Sequence, residues 1–332
     1  MGTIEQGARN AVETCMGLRT GERVLIVSDR AEAAVGEALS KSAASVTGSA
    51  NVNLLFLEDL SSRPLTALPG TISNTIPVSD VTFWAAQSLP GELVARRAFL
   101  TLAKRYARHG HMPNVTPILM EQGMCSDYNR VFELTHAVYE RVRDAKKITV
   151  SNRLGSELEV QFDQNWRWVP SDGRYHEKGR WGNLPEGETF TAPKKVRGRL
   201  VTNLLGDWFS DKYGNFSESL SFDVEDSLIK LDSVSCQNAT LRKDFLTYLS
   251  TDPNSVRAGE FALPTNPELI LMPTIGNLLQ DEKARVHIAF GDPYQDETGA
   301  PWSCPTHVDM LLEGCNVEVD GTKIMRDGSY VA

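Results

Sequence analysis

The chain has no apolar run long enough to cross a bilayer. Its purely apolar stretches are as short as Val24-Leu25-Ile26-Val27, against the roughly 20 residues a spanning helix needs. It has no basic excess either. Lys and Arg number 34 against 43 Asp and Glu, a net charge of −9 and a pI of about 5.3. That balance argues against nucleic acid or an anionic membrane as the main partner. The five cysteines (Cys15, Cys125, Cys236, Cys304 and Cys315) are odd in number, widely spaced and include no CxxC. A disulfide scaffold and a structural zinc ribbon are thereby excluded, leaving reduced and mostly buried thiols. The opening Met1-Gly2-Thr3-Ile4-Glu5-Gln6 lacks the basic and apolar regions of a secretory leader, and Gln6 stands where a myristoylation pattern needs Ser or Thr. A cytoplasmic location is the expectation. The first strand-to-helix turn has one glycine, Gly36, and neither G-x-G-x-x-G nor G-x-x-x-x-G-K-[ST], so a dinucleotide or P-loop site is unsupported.

What is present is an ordinary globular composition, 41% hydrophobic and 23% charged over 332 residues. That length suffices for two cores. The first half alternates strand and helix patterns. Helical spacing covers 4–18, 31–46, 91–108 and 128–145. Short β-rich runs fall at 23–28, 51–57 and 81–85. This order predicts a mostly parallel sheet with helices on both faces. From about residue 148 short strands and turns dominate, at 148–151, 157–162, 196–204, 219–224, 270–272, 286–290, 307–312 and 316–319. One helix is expected at 240–249, and a terminal hairpin turns on Asp320-Gly321. The reading is α/β followed by α+β. An α/β domain is expected over 1–147 and a strand-rich, metal-binding catalytic domain over 148–332.

The chemistry concentrates in the last quarter. Glu260, His287, Tyr294, His307 and Asp309 fall within a short span of a strand-rich segment. Imidazole and carboxylate without cysteine are the ligand types of a catalytic divalent ion rather than of a closed structural zinc. On a strand, residues i and i+2 share a face, so His307 and Asp309 project side by side. Upstream, Pro185 and Gly187 punctuate a turn that presents Glu186 and Glu188 at the start of an extended run. Either acid could reach the site. Tyr294 offers a phenol that can donate to a developing oxyanion.

Several blocks resemble a known family. They are Asn183-Leu184-Pro185, Gly187-Glu188, Phe190-Thr191-Ala192-Pro193, Gly259-Glu260-Phe261-Ala262, His287-Ile288-Ala289-Phe290-Gly291 and His307-Val308-Asp309. The combination resembles the thermophilic metallo-aminopeptidase family (aminopeptidase T and aminopeptidase S). The related branch of that family includes 2,5-dihydroxypyridine 5,6-dioxygenase, an iron enzyme on the same fold. The resemblance is close over the C-terminal half and general over the first half. It implies a ligand set of Glu188, Glu260, His287, His307 and Asp309, with Tyr294 nearby and a homodimer as the assembly.

Two chemistries follow for one cluster. In the first, two ions (Zn, Co or Mn) activate a water, Glu188 or Glu186 acts as base, and Tyr294 stabilises the oxyanion. The substrate is a short peptide or small molecule, and the resemblance implies removal of its N-terminal residue. In the second, His287, His307 and Asp309 hold one Fe(II) for ring cleavage. His109, His111 and His176 are then candidate proton shuttles, and Trp166, Trp168, Tyr175 and Trp181 candidate walls for a flat substrate. His109 and His111, in Arg108-His109-Gly110-His111-Met112-Pro113, read as an exposed loop.

Overall fold

The computed structural model describes residues 2–206 and 208–331. The chain forms two compact units: the segment up to Phe132 with Asp172–Glu186, and Glu133–Ser171 with Gly187 onward. A single cut at residue 147 is therefore not what the backbone makes. The division falls inside the Tyr128–Val142 helix, and the chain returns once to the first unit. The return has a structural cause. Trp181–Asn183 pairs in parallel with Arg108–His111 and adds a fifth strand to the first sheet.

That first sheet is wholly parallel, in the order Val52–Phe56, Val24–Ser28, Val81–Ala85, Arg108–His111, Trp181–Asn183. Its inner strands are buried along their whole length, as expected where helices cover both faces of a parallel sheet. Trp84 and Phe99, from the Leu93–Tyr106 helix, meet edge to face at 5.2 Å between ring centres. The segment read as an exposed loop is a buried strand instead. Gly110 lets it approach its neighbours, because a Cβ there would stand 2.8 Å from the Phe83 ring.

The second unit is antiparallel. One sheet has eight strands, with Lys195–Thr202, Glu157–Gln161 and Lys147–Ser151 at its centre. The other has five, in the order His307–Leu312, Val286–Gly291, Ala258–Pro264, Glu188–Thr191, Val169–Ser171. The two sheets share one apolar core. Val160, Val196, Leu200 and Phe222 from the first meet Phe261, Leu263, Ile288, Phe290, Val308 and Met310 from the second. The period-2 pattern of a strand explains both faces at once. If Ile288 and Phe290 face the core, His287 and Ala289 face away; if Val308 and Met310 face it, so do His307 and Asp309 face away. The expected strand at 270–272 is not formed. Asn266 caps a helical turn over Pro267–Ile270 there, since proline suits the first helical position and asparagine the cap. Among the described residues no helix is long and apolar enough to cross a membrane.

Phe222 is fully buried and lies 5.7 Å from the Phe245 ring and 5.6 Å from the Phe290 ring. Phe222→Ala is expected to cost about 3–5 kcal/mol of stability. Urea unfolding of both proteins would measure it, and a loss below roughly 1 kcal/mol would refute this placement of the core.

Candidate metal centre

One glycine decides where Glu260 points. The pairing of Ala258–Pro264 with Val286–Gly291 shifts register between Ala258 and Glu260. Ala258 sits opposite Phe290, and Glu260 opposite Ala289, so Gly259 is the extra residue of a β-bulge. Simple alternation from core-facing Ala258 would send Glu260 into the core. The bulge turns it to the opposite face, beside Asp309, which also pairs with Ala289. Only glycine fits there, because a Cβ would lie 2.6 Å from the Gly291 carbonyl oxygen and 2.7 Å from that of Asp292.

Five predicted residues meet on this face. Glu188, Glu260 and His287 form one donor group, and Glu260, His307 and Asp309 a second. His287 Nε2 lies 3.4 Å from Glu188 Oε2, 3.9 Å from Glu260 Oε1 and 4.0 Å from Asp309 Oδ1. His307 Nε2 lies 3.2 Å from Glu260 Oε2 and 3.4 Å from Asp309 Oδ1. Both rings are oriented from behind. His287 Nδ1 is 3.1 Å from the Arg285 carbonyl and His307 Nδ1 is 2.9 Å from that of Asp292. A carbonyl can only accept, so Nδ1 carries the proton in each and Nε2 faces the cluster, the arrangement of metal-ligating histidines. Tyr294 stands at its edge, in the left-handed region at φ 51°, with its ring centre 4.7 Å from that of His307.

Two residues the sequence reading missed complete the cluster. Lys283 is buried, with Nζ 2.5 Å from Glu188 Oε1 and 3.0 Å from Glu282 Oε1. Asp281-Glu282-Lys283-Ala284-Arg285 reads as a solvated charged run. The one signal was its position immediately before the His287 strand.

Electrostatics show why an ion fits. Glu188, Glu260, Glu282 and Asp309 are all buried, and Lys283 pairs with two of them, Glu188 and Glu282. Neither Glu260 nor Asp309 has a lysine or arginine ion pair among the described residues. Buried, unpaired carboxylates are costly, and the imidazoles bear the consequence. Burial opposes charge on His307, but Asp309 and Glu260 outweigh it and hold the ring well above its ordinary value. The same opposition raises His287, with Glu188 the leading carboxylate. Burial pushes Glu282 up to about 8 against the pull of Lys283. Glu188 Oε2 is buried without a hydrogen-bond partner, the state of an oxygen whose partner is a cation. A divalent ion supplies the missing positive charge, and carboxylate with imidazole is its donor set.

The other candidates lie elsewhere. Glu186 belongs to the first unit, where the Tyr175 hydroxyl donates to its Oε2 at 3.0 Å. It is Glu188 whose carboxylate enters the donor group. His109 and His111 are stacked in the first sheet, Nε2 of one 3.1 Å from Nδ1 of the other. Burial lowers His109 to about 3 and holds His111 well below its ordinary value, so both are neutral. His176 Nε2 is 2.7 Å from the Thr14 carbonyl, also in the first unit. Trp168 packs on the core side against Phe162 and Phe261, and Trp166 against Trp302. Tyr175 serves Glu186, and Trp181 packs beside His111. The four aromatics of the expected wall are divided between the two units, Trp166 and Trp168 in one and Tyr175 and Trp181 in the other.

Comparison with known proteins finds a family and two similar folds. The model of the thermophilic metalloprotease (M29) family matches residues 79–329, a span that contains both donor groups. Two solved structures are similar along nearly the whole chain. Wild-type AmpT from Thermus thermophilus has a TM-score of 0.75 at 18% identity, covering 99% of each chain. The 2,5-dihydroxypyridine dioxygenase from Pseudomonas putida KT2440 has a TM-score of 0.71 at 18% identity, covering 99% of this chain and 97% of that one. At this identity both likenesses speak to the fold. No curated protein matches the chain in sequence.

Because both donor groups share Glu260, Glu260→Gln should lower bound metal more than any other single substitution at the site, with an unchanged circular dichroism spectrum. Glu186→Gln should leave metal content at the wild-type level. Elemental analysis of the two purified variants checks both, and metal loss in the Glu186 variant would reverse the assignment of the two acids.

Proposed function

The chain belongs to the thermophilic metalloprotease (M29) family, and from that premise we propose that it is a metal-dependent aminopeptidase. The observation that carries the reading is the pair of donor groups joined through one buried carboxylate, Glu260. Divalent ions bound there would acidify a water and polarise a scissile carbonyl.

The chain's own residues do the rest. Glu260, His287, His307 and Asp309 present donor atoms already oriented from behind, so little rearrangement is needed on binding. Glu188 Oε2 lacks a hydrogen-bond partner and completes the first donor group with Glu260 and His287, while Lys283 holds its Oε1. Partial burial, then the charges of Glu260 and Asp309, pushes the Tyr294 phenol well above its ordinary value. It stays protonated and can donate to the oxygen on which negative charge develops. The residue keeps 38% of its surface exposed, so it stands where the cluster meets solvent. The surplus of carboxylate suits a positively charged α-amino group, which favours a free N-terminus over an internal bond.

A second reading has one observation in its favour. Nε2 of both imidazoles faces the same carboxylate oxygen, Asp309 Oδ1, at 3.4 and 4.0 Å. Two histidines and one carboxylate can hold a single Fe(II) for oxygen chemistry. Iron content with oxygen uptake on 2,5-dihydroxypyridine, and no peptide cleavage, would select it.

With Co(II) or Zn(II), the protein should release p-nitroaniline from Leu-p-nitroanilide and leave the N-acetylated substrate intact. Cleavage of the blocked substrate at an equal rate would sink the aminopeptidase reading. Asp309→Ala should abolish activity and reduce metal content without unfolding the chain. Tyr294→Phe should keep its metal and its KM while kcat falls by about 100-fold, the scale of one lost oxyanion donor. An unchanged kcat would remove Tyr294 from the mechanism.

A further inference from the structure

We propose that Lys283 makes the two ion positions unequal, so that the centre fills in two steps, with the position at Glu260, His307 and Asp309 first. The inference rests on the metal reading above and goes beyond it by assigning an order and a residue that sets it.

The argument begins with Glu188. Its Oε1 is held by the Lys283 ammonium at 2.5 Å, and the same ammonium reaches Glu282 Oε1 at 3.0 Å. Both the lysine and the glutamate are buried. An ion between Glu188, Glu260 and His287 would therefore meet a carboxylate already shared with a cation, and only its Oε2 remains open. It would also sit one carboxylate away from a fixed positive charge in a setting that screens little. Like charges at that separation repel appreciably away from bulk water.

The second donor group is different. Glu260 Oε2 and Asp309 Oδ1 face His307 Nε2 at 3.2 and 3.4 Å. Neither acid has a lysine or arginine ion pair among the described residues, and the His307 side chain keeps 18% of its surface open. An ion entering there meets two carboxylates faced by His307 and held by no lysine or arginine ion pair among the described residues. Lys283 thus acts as a positioning residue. It anchors Glu188 from one side and lowers the affinity of the adjoining ion position.

The test is a Co(II) titration of the full-length, metal-stripped protein, followed by calorimetry and by the visible absorption of bound cobalt. The wild type should bind in two steps, the second about tenfold or more weaker than the first. Lys283→Met should tighten the second step by about tenfold and leave the first nearly unchanged, and Lys283→Arg should retain the wild-type ratio. Two further variants locate the steps without depending on the folding of a lysine variant. Glu188→Gln should remove the weak step alone, and Asp309→Asn should remove the tight one. Equal affinities in the wild type, an unchanged ratio in Lys283→Met, or the reverse pattern in the Glu188 and Asp309 variants would each overturn the proposal. Absence of any cobalt binding in the wild type would instead overturn the metal reading on which it rests.

Discussion

A surplus of buried carboxylates governs the second unit. Glu188, Glu260 and Asp309 are gathered on one sheet face, Glu282 is buried in the turn before the His287 strand, and Lys283 pairs with Glu188 and Glu282. Desolvated carboxylates do not remain close together without compensation. Everything local answers to that constraint. The two histidines turn Nε2 toward the acids, their other nitrogens are tied to backbone carbonyls, and Lys283 is drawn inside. A divalent ion completes the same balance, which is why the chemistry of the donor set and membership of a metalloprotease family point the same way.

The sheet makes this possible because its two faces do different work. Phe261, Leu263, Ile288, Phe290, Val308 and Met310 bind the five-stranded sheet to the eight-stranded one. The residues between them carry the chemistry. A rigid, fully paired sheet holds side chains more precisely than loops do. Here four adjacent strands each contribute, and the bulge at Gly259 corrects the one strand whose alternation would have failed. Packing energy and catalytic geometry are therefore coupled through the same strands. Damage to the core face should loosen the donor face as well.

Hydrolysis and ring cleavage ask different things of one constellation. A two-ion peptidase would use the carboxylates beyond the two-histidine, one-aspartate set, and on the proposed reading Tyr294 would be its oxyanion donor. A one-iron oxygenase needs neither Glu188 nor Tyr294. Both are in place here, the first with a buried oxygen awaiting a partner and the second against His307. Lys283 adds a control on the Glu188 side that is absent on the His307 side.

How much of this was legible beforehand differs by residue. His307 and Asp309 could be placed side by side from strand periodicity alone. The order of a mostly parallel α/β half followed by a strand-rich half was likewise readable, because hydrophobic spacing is local information. The return of Asp172–Glu186 to the first sheet was not, since strand pairing over long separations leaves no local trace. The same limit hid the burial of His109 and His111, and it left Glu186 and Glu188 indistinguishable until the chain crossed between units after Glu186. It also hid Lys283, whose neighbours in sequence suggest solvent while its neighbours in space are acids. Local pattern determined which residue types lay on which strand face. Convergence of distant strands, and one glycine bulge between them, decided which of those residues share a charge.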